Sequence, residues 1–459
     1  MRGPFCVPQT TVTVAVSFSA LVSVTGGRDF GCRSAANRQV GWLSLDRAHI
    51  PPASARRWTR MSVTGRGAAS SAGKRNLDAD LIIVGAGCAG LSLAARLADA
   101  HTPLRVLIID PRTEYSDDRS WSFWRPPTHD LSHLVAKSWG SWRFSDATGR
   151  GIRHSVAGLR YHYVRGADFY ADALRRIDRG CGVTRLPGVR VERIEAISET
   201  VRVDTATGTL TANQVIDTRP RPAAALLYQS FTGVEVQSEA PLPFDSDEVG
   251  LMGSMAADAA GLGFTYTLPL SRYSALIEWT RFAAVPAPQA ELRAELDGVL
   301  TGLGLQGARV LRREGGVLGM GVPRDSAPPS PGIVRAGTGG GALRAASGYG
   351  FLRMQRWAEH CAARLASGAP AVGHPVEPPL RRGMDRLFLQ AVRTHPERTA
   401  DYFLALAQGV PPARLVRFLN DGATVGDYAR LIAALPTAPF IRELFSRPAT
   451  AVERVPVDA

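Results

Sequence analysis

The stretch from Asp80 to Asp110 constrains the fold more than any other. Asp80-Leu-Ile-Ile-Val84 is a continuous apolar run, the pattern of a strand buried on both faces. Gly85-Ala-Gly-Cys-Ala-Gly90 follows it. Leu91-Ser-Leu-Ala-Ala-Arg-Leu-Ala98 then has helical apolar spacing, and a second apolar run over 104–109 ends on Asp110. This order is a βαβ unit. Gly85 permits the tight turn off the strand, Gly87 lets backbone N–H groups approach a pyrophosphate, and Gly90 lets the helix lie close to the sheet. The helix N-terminus offers unpaired N–H groups and its positive dipole end to phosphates. Asp110 lies 20 residues beyond Gly90, where a carboxylate can accept hydrogen bonds from a ribose 2′-hydroxyl and would repel a 2′-phosphate.

The rest of the chain fits two or three domains built around this unit. It has 459 residues, of which 45% are hydrophobic and 21% charged, so most of it should be globular. No run of 18 apolar residues predicts a transmembrane helix. The net charge of +13 is uneven, with eight arginines against two acids in residues 1–60. The remaining arginines are scattered, which argues against nucleic acid as a partner and is compatible with peripheral contact to an anionic membrane. Five widely spaced cysteines without a CxxC pair imply neither a zinc site nor a disulfide framework, and fit a reducing cytoplasm. No metal-ligand cluster or Ser-His-Asp arrangement stands out, and nothing in the composition fixes the oligomeric state.

Residues 1–76 read as a basic, low-order extension, with Met61 as a candidate start. Residues 115–170 are rich in aromatics, 169–177 should be helical, and 188–217 should form two or three strands. Alternating runs across 225–320, including 263–270 and 273–282, predict an antiparallel sheet. A strand over 332–337 and a helix over 349–365 follow, then a Pro-rich linker and a cluster of amphipathic helices over 381–445. The expected organisation is a dinucleotide-binding domain (77–225 and 330–368), a mainly β substrate-binding domain (226–329) and a helical tail.

Two later segments indicate which dinucleotide. Val215-Ile-Asp217-Thr-Arg219 reads as a strand ending in an acid, and Val334-Arg-Ala-Gly337 as a strand leading into a glycine-rich turn. An N-terminal glycine motif with widely spaced later segments resembles the glutathione-reductase-type fold. That makes FAD the expected cofactor and adds Asp217 and Gly337 to its contacts. The fold class is therefore α/β: a Rossmann-like FAD-binding fold with an antiparallel β substrate domain and a C-terminal helical subdomain.

A more specific likeness follows from Arg119-Ser-Trp121-Ser-Phe123, Leu276-Ile-Glu278-Trp-Thr280, Arg313-Glu314-Gly-Gly-Val-Leu318 and Ser347-Gly-Tyr349. Together with 80–110 and the tail segments Met384–Leu389 and Val410–Phe418, these resemble bacterial lycopene β-cyclases in order and spacing, over about 80 to 445. The resemblance implies reduced FAD used without net redox turnover and NAD(P)H as its reductant. It implies lycopene or a related C40 carotene as substrate, and attachment to the membrane that holds it. It makes Glu278 the acid–base residue and Trp121, Phe123, Thr280 and Tyr349 candidates for the pocket. The chain departs from the family pattern at Trp279, where a second acid is usual, at Arg119, where His is usual, and across 340–346, which lacks the usual His or Pro.

Strand alternation puts Glu278 on a face with Ser274, Leu276, Thr280 and Phe282, and Trp279 opposite with Ile277 and Arg281. Two readings follow from the pattern: a buried acid with a raised pKa, or a surface glutamate on a half-exposed strand paired with Arg281 or with a neighbouring strand. Glu314 reads as an ion-pair partner of the preceding arginines, and Asp117 and Asp118 as a solvated turn near the flavin. The competing function is an FAD- and NAD(P)H-dependent monooxygenase or halogenase, which would share the βαβ start.

Overall fold

The computed structural model describes residues 77–221, 224–322 and 330–445, so the N-terminal extension and the start at Met61 lie outside the described residues. Ala79–Val84 is the centre of the first sheet. It pairs in parallel with Val106–Asp110 on one side and Gly208–Asp217 on the other. Val183–Pro187 and Ile333–Arg335 extend this parallel core at its two sides. Val191–Ile197 and Thr200–Thr205 join Gly208–Asp217 as an antiparallel meander, three strands in the region where the pattern allowed two or three. The continuous apolar run is explained by cover on both faces. Leu81 and Ile83 pack under the helices Cys88–Asp99, Gly166–Arg179 and Phe351–Ala366, while Ile82 and Val84 pack with Val201, Val203 and Val215. Each such side chain contributes about 1.5–3 kcal/mol by leaving water.

The second sheet runs in the order Arg309–Met320, Leu227–Gln237, Ser274–Ala283, Gly261–Pro269, Glu248–Asp258, Ser141–Asp146 and Gly151–Ser155. Its last two strands come from an earlier part of the chain than the rest. Residues 141–155 fall in the range assigned to the dinucleotide domain, yet Ser141–Asp146 pairs in parallel with Glu248–Asp258. A parallel pairing between strands about a hundred residues apart leaves no local pattern to read. One face of this sheet, through Val234, Val236, Ala275 and Ile277, packs on Leu296 and Leu300 of the Gln289–Gly302 helix. The other face, through Leu276, Phe264 and Phe282, packs with Leu389, Leu404, Val416 and Leu431 of the tail helices Pro379–Thr394, Thr399–Gly409, Pro412–Leu419 and Val425–Ala434.

A third sheet, Ser120–Arg125, Arg160–Arg165 and Val135–Trp139, stands between the two cores. Trp121, Phe123 and Val164 enter the first core, whereas Trp124, Trp139, Tyr161 and Tyr163 enter the second. The buried Arg344–Asp385 pair, 3.1 Å apart, ties the glycine-rich turn after Gly337 to the tail. Among the described residues, no helix is long and apolar enough to cross a membrane.

Candidate functional site

Two sites emerge. The first is the glycine loop. Gly85 has φ +95°, and a Cβ there would lie 2.7 Å from Thr218 Oγ1. A Cβ on Gly90 would lie 2.0 Å from the carbonyl oxygen of Gly85, so any side chain would break the loop–helix contact. Gly87 differs: the nearest atom to its Cβ direction is Arg112 Nη2, 4.0 Å away. That open side lies beside a helix start that no side chain caps, where backbone N–H groups are free to meet an anion such as a pyrophosphate. Gly337 belongs to the same place, since its Cβ would meet Thr218 O at 2.9 Å and Ala89 Cβ at 3.4 Å.

Asp110 is buried and accepts from Ala86 N at 2.5 Å and from Arg112 N and Nε at 2.9 Å. It therefore also fastens the loop to the second strand, and a ribose hydroxyl would have to replace one of the Arg112 bonds. Asp217, expected among the cofactor contacts, ends the third parallel strand beside Val84. Its carboxylate is taken by Arg219 Nε at 2.8 Å, and Arg219 also bonds Val191 O, on the meander side. The next residue, Thr218, touches the loop instead, its hydroxyl donating to Val84 O and Gly85 O, each at 2.9 Å. Side chains alternate along a strand, so Asp217 and Thr218 point to opposite sides of it.

The second site lies on the tail-facing side of the second sheet. Cross-strand register sets Tyr266, Glu278, Gly233 and Glu314 in one row across four strands. Gly233 is the key to this row. A Cβ there would lie 2.5 Å from Glu278 Cγ, so the glutamate side chain leans across the glycine and forms a hydrogen bond with Glu314. Glu278 is 8% exposed. Burial and the neighbouring Glu314 hold its carboxyl well above the usual carboxylate range, so it carries a proton. Glu314 accepts from Ser120 Oγ at 2.9 Å and from Arg312 Nη1 at 2.6 Å.

Arg312 is the hub of the next row. It donates to Glu235 at 2.8 Å and to the Tyr163 hydroxyl at 2.6 Å, and its Nε lies 3.4 Å from Asp117. Arg165 in turn bonds Asp117 at 2.6 Å and Glu235 at 3.3 Å. Asp117 is thus part of a partly buried ion-pair network, where a solvated turn was expected. With Glu278 protonated, three carboxylates face two guanidiniums, and the cluster retains one negative charge.

The remaining candidates divide between the two faces. Thr280 is buried beside Glu278, while Trp279 lies opposite and donates to Glu295 at 2.5 Å. Arg281 pairs with Asp258 and Glu295, which excludes the surface pairing with Glu278. Tyr349 reaches the acid's side of the core, 3.4 Å from Tyr161, which is 3.0 Å from Tyr266. Trp121 and Phe123 do not share the face that meets Glu314. They stack on Phe351 in the first core, at centroid distances of 5.3 and 5.4 Å. Their neighbours Ser120, Ser122 and Trp124 face the second sheet. Phe123 still borders a narrow cleft that Ser122 and Tyr349 also line.

Gly233, Arg312, Tyr161 and Tyr266 escaped the sequence reading as site residues. The only signal for Gly233 was a glycine inside a long alternating strand, which marks a close approach by another group. The two sites are linked through the segment 348–350 and its helix Phe351–Ala366, where Gln355 donates to Ser92 of the glycine-loop helix at 2.8 Å.

Comparison with known proteins agrees with this architecture. The chain is 14% identical to a geranylgeranyl bacteriochlorophyll reductase-like protein from Thermoplasma acidophilum, with TM-score 0.53 over 80% of this chain and 98% of that one. It is 13% identical to a flavoprotein/dehydrogenase from Cytophaga hutchinsonii, with TM-score 0.51 over 77% and 98%. Such likeness shows the fold alone. In sequence, the chain is 27% identical to a lycopene beta-cyclase of Pseudescherichia vulneris, covering 78% of this chain and 95% of the relative. It is 24% identical to one of Pantoea ananas, covering 80% and 97%. A family model described as lycopene cyclase protein matches residues 80–445, and the chain belongs to that family.

Proposed function

We propose that this protein cyclises the linear end groups of lycopene, or a related C40 carotene, to β-rings by acid-initiated carbocation chemistry with no net redox change. The observation that carries this reading is the buried Glu278–Glu314 pair, in which one carboxyl holds a proton and the other is held by Arg312 and Ser120. Such a pair can both give and take a proton away from water.

The steps balance as an isomerisation. The Glu278 carboxyl gives its proton to the terminal C=C bond, leaving a tertiary cation. A second double bond of the same chain closes on that carbon and forms the ring. The ring cation then loses a neighbouring proton to the carboxylate pair, and the hydrogen bond between the two acids returns it to Glu278. The cluster's residual negative charge stabilises the cation while it lasts. The apolar surroundings, including Phe231, Phe264 and Phe282, exclude the water that would trap it.

The glycine loop, the open side of Gly87 and the uncapped helix start fit the pyrophosphate of FAD, with Gly85, Gly87, Gly90, Gly337 and Asp110 around it. Reduced FAD, with NAD(P)H as reductant, supplies a further negative field when bound. The substrate dissolves in lipid, so the reading includes peripheral contact with the cytoplasmic membrane surface. The test is expression in a lycopene-accumulating bacterium with pigment analysis. Mono- or bicyclic carotenes are expected; unchanged lycopene beside abundant flavin-loaded protein would contradict the reading.

A further inference from the structure

The acid row has a fourth member that the scheme above does not use. Tyr266 is the cross-strand partner of Glu278, on the side away from Gly233. Its hydroxyl lies 3.0 Å from that of Tyr161, which lies 3.4 Å from that of Tyr349, and the Ser122 hydroxyl is close to those of Tyr266 and Tyr161. The tyrosine hydroxyls therefore bond one another without a charged partner. Burial and mutual repulsion keep all three phenols well above their usual range, so they stay neutral. Trp124 closes the group, with ring centroids 4.5 Å from Tyr161 and 5.6 Å from Tyr349. Tyr161 is fully buried, whereas Tyr266 and Tyr349 are only partly buried and pack against the same core as Tyr161.

A wall of neutral, electron-rich rings beside a proton donor, in an apolar enclosure, has a definite chemical use. The carbon that becomes cationic lies one bond from the carbon that accepts the proton. It must therefore sit within a few ångströms of the donor's neighbours. On one side of Glu278 that neighbour is Glu314, across Gly233, and on the other it is the ring of Tyr266. We propose that Tyr266 is a catalytic residue whose ring touches the end group and stabilises its cation, and that Tyr161, Tyr349 and Ser122 are positioning residues that fix that ring through their hydroxyl bonds. This rests on the cyclase reading. It assigns the cation-stabilising role to this cluster and not to Trp121 or Phe123, which face the other core.

The test uses purified, flavin-loaded protein with lycopene in detergent micelles. Tyr266→Leu removes the ring and should lower kcat about ten-fold with KM little changed, the mark of an interaction made in the transition state. Tyr266→Phe keeps the ring and should lose only about two- to three-fold, through its freed hydroxyl partners. Flavin absorbance and melting temperature should stay near wild type in both. Wild-type kcat in Tyr266→Leu overturns the proposal, and so does an equal loss in Tyr266→Phe, which would place the effect in the hydroxyl. If Tyr266→Leu does not fold, Tyr349→Leu, which removes the ring's support, should lower kcat several-fold on the same criteria. Wild-type protein that makes no cyclised product sinks the function itself; active wild type with an unaffected Tyr266→Leu sinks only the role of Tyr266.

Discussion

The sharpest perturbation is the smallest one, Gly233→Ala. The added methyl would lie 2.5 Å from Glu278 Cγ and 3.4 Å from its carboxyl carbon, where real Cβ contacts essentially never fall below 3.0 Å. Glu278 must therefore swing off the glycine and away from Glu314. Local overpacking of this kind costs about 1–3 kcal/mol of stability, which the domain should survive. The chemical cost is larger, because the proton donor loses its position and its partner. General acid–base positioning contributes about 10²–10⁴-fold, so turnover should fall by at least about 10²-fold. Separation from Glu314 also removes two of the causes that raise the Glu278 pKa, so the alkaline limb of any residual activity should move to lower pH. The assay is kcat against pH on purified flavin-loaded protein, beside a thermal melt. Gly316→Ala is the control on the same sheet face: its methyl would meet the Phe231 ring at an ordinary 3.5 Å. Wild-type turnover and pH profile in Gly233→Ala would refute the reasoning about the pair.

Other expectations follow from the same geometry. Wild-type activity should fall as pH rises through the Glu278 pKa, because only the protonated acid donates. Native Glu278 binds its proton more tightly than the unfolded chain does, so stability too should fall as pH rises from about 4.5 towards that pKa, and Glu278→Gln should flatten that slope in pH-dependent melts. Arg312→Met leaves Glu235, Glu314 and Asp117 short of a cation and should cost about 3–5 kcal/mol in chemical denaturation. Trp279→Phe should leave turnover unchanged, since Trp279 faces the Gln289–Gly302 helix. Gly90→Ala should abolish flavin absorbance in the purified protein, because its methyl would collide with Gly85 O.

The sequence was most legible where one local pattern determined the structure. The βαβ unit could be read from Asp80–Asp110 because burial on both faces, a glycine turn and a helical stripe are adjacent in the chain. The face of Glu278 could be read too, because alternation within Ser274–Ala283 has a fixed period. Long-range pairing was the blind spot. Nothing near Ser141 announces its partner Glu248, and nothing near Gly233 announces that Glu278 and Glu314 flank it. The same limit explains Trp121 and Phe123. The Trp-Ser-Phe segment was the right strand, but which of its faces meets the second sheet is set by packing, and its serines took that role. Trp279, which stands where the related family usually has a second acid, lies on the face opposite Glu278, as alternation along the strand led one to expect.

One measurement bears most directly on the central claim. Purified flavin-loaded protein is incubated with lycopene in D₂O, following product mass together with oxygen and NAD(P)H consumption. Acid-initiated cyclisation predicts a product isomeric with lycopene that carries up to one deuterium per ring formed, the fraction set by exchange of the Glu278 proton with solvent between turnovers, without oxygen uptake and without NAD(P)H used in proportion to product. A hydroxylated or halogenated product, with oxygen and NAD(P)H consumed one for one, would contradict it and establish a monooxygenase or halogenase on this fold.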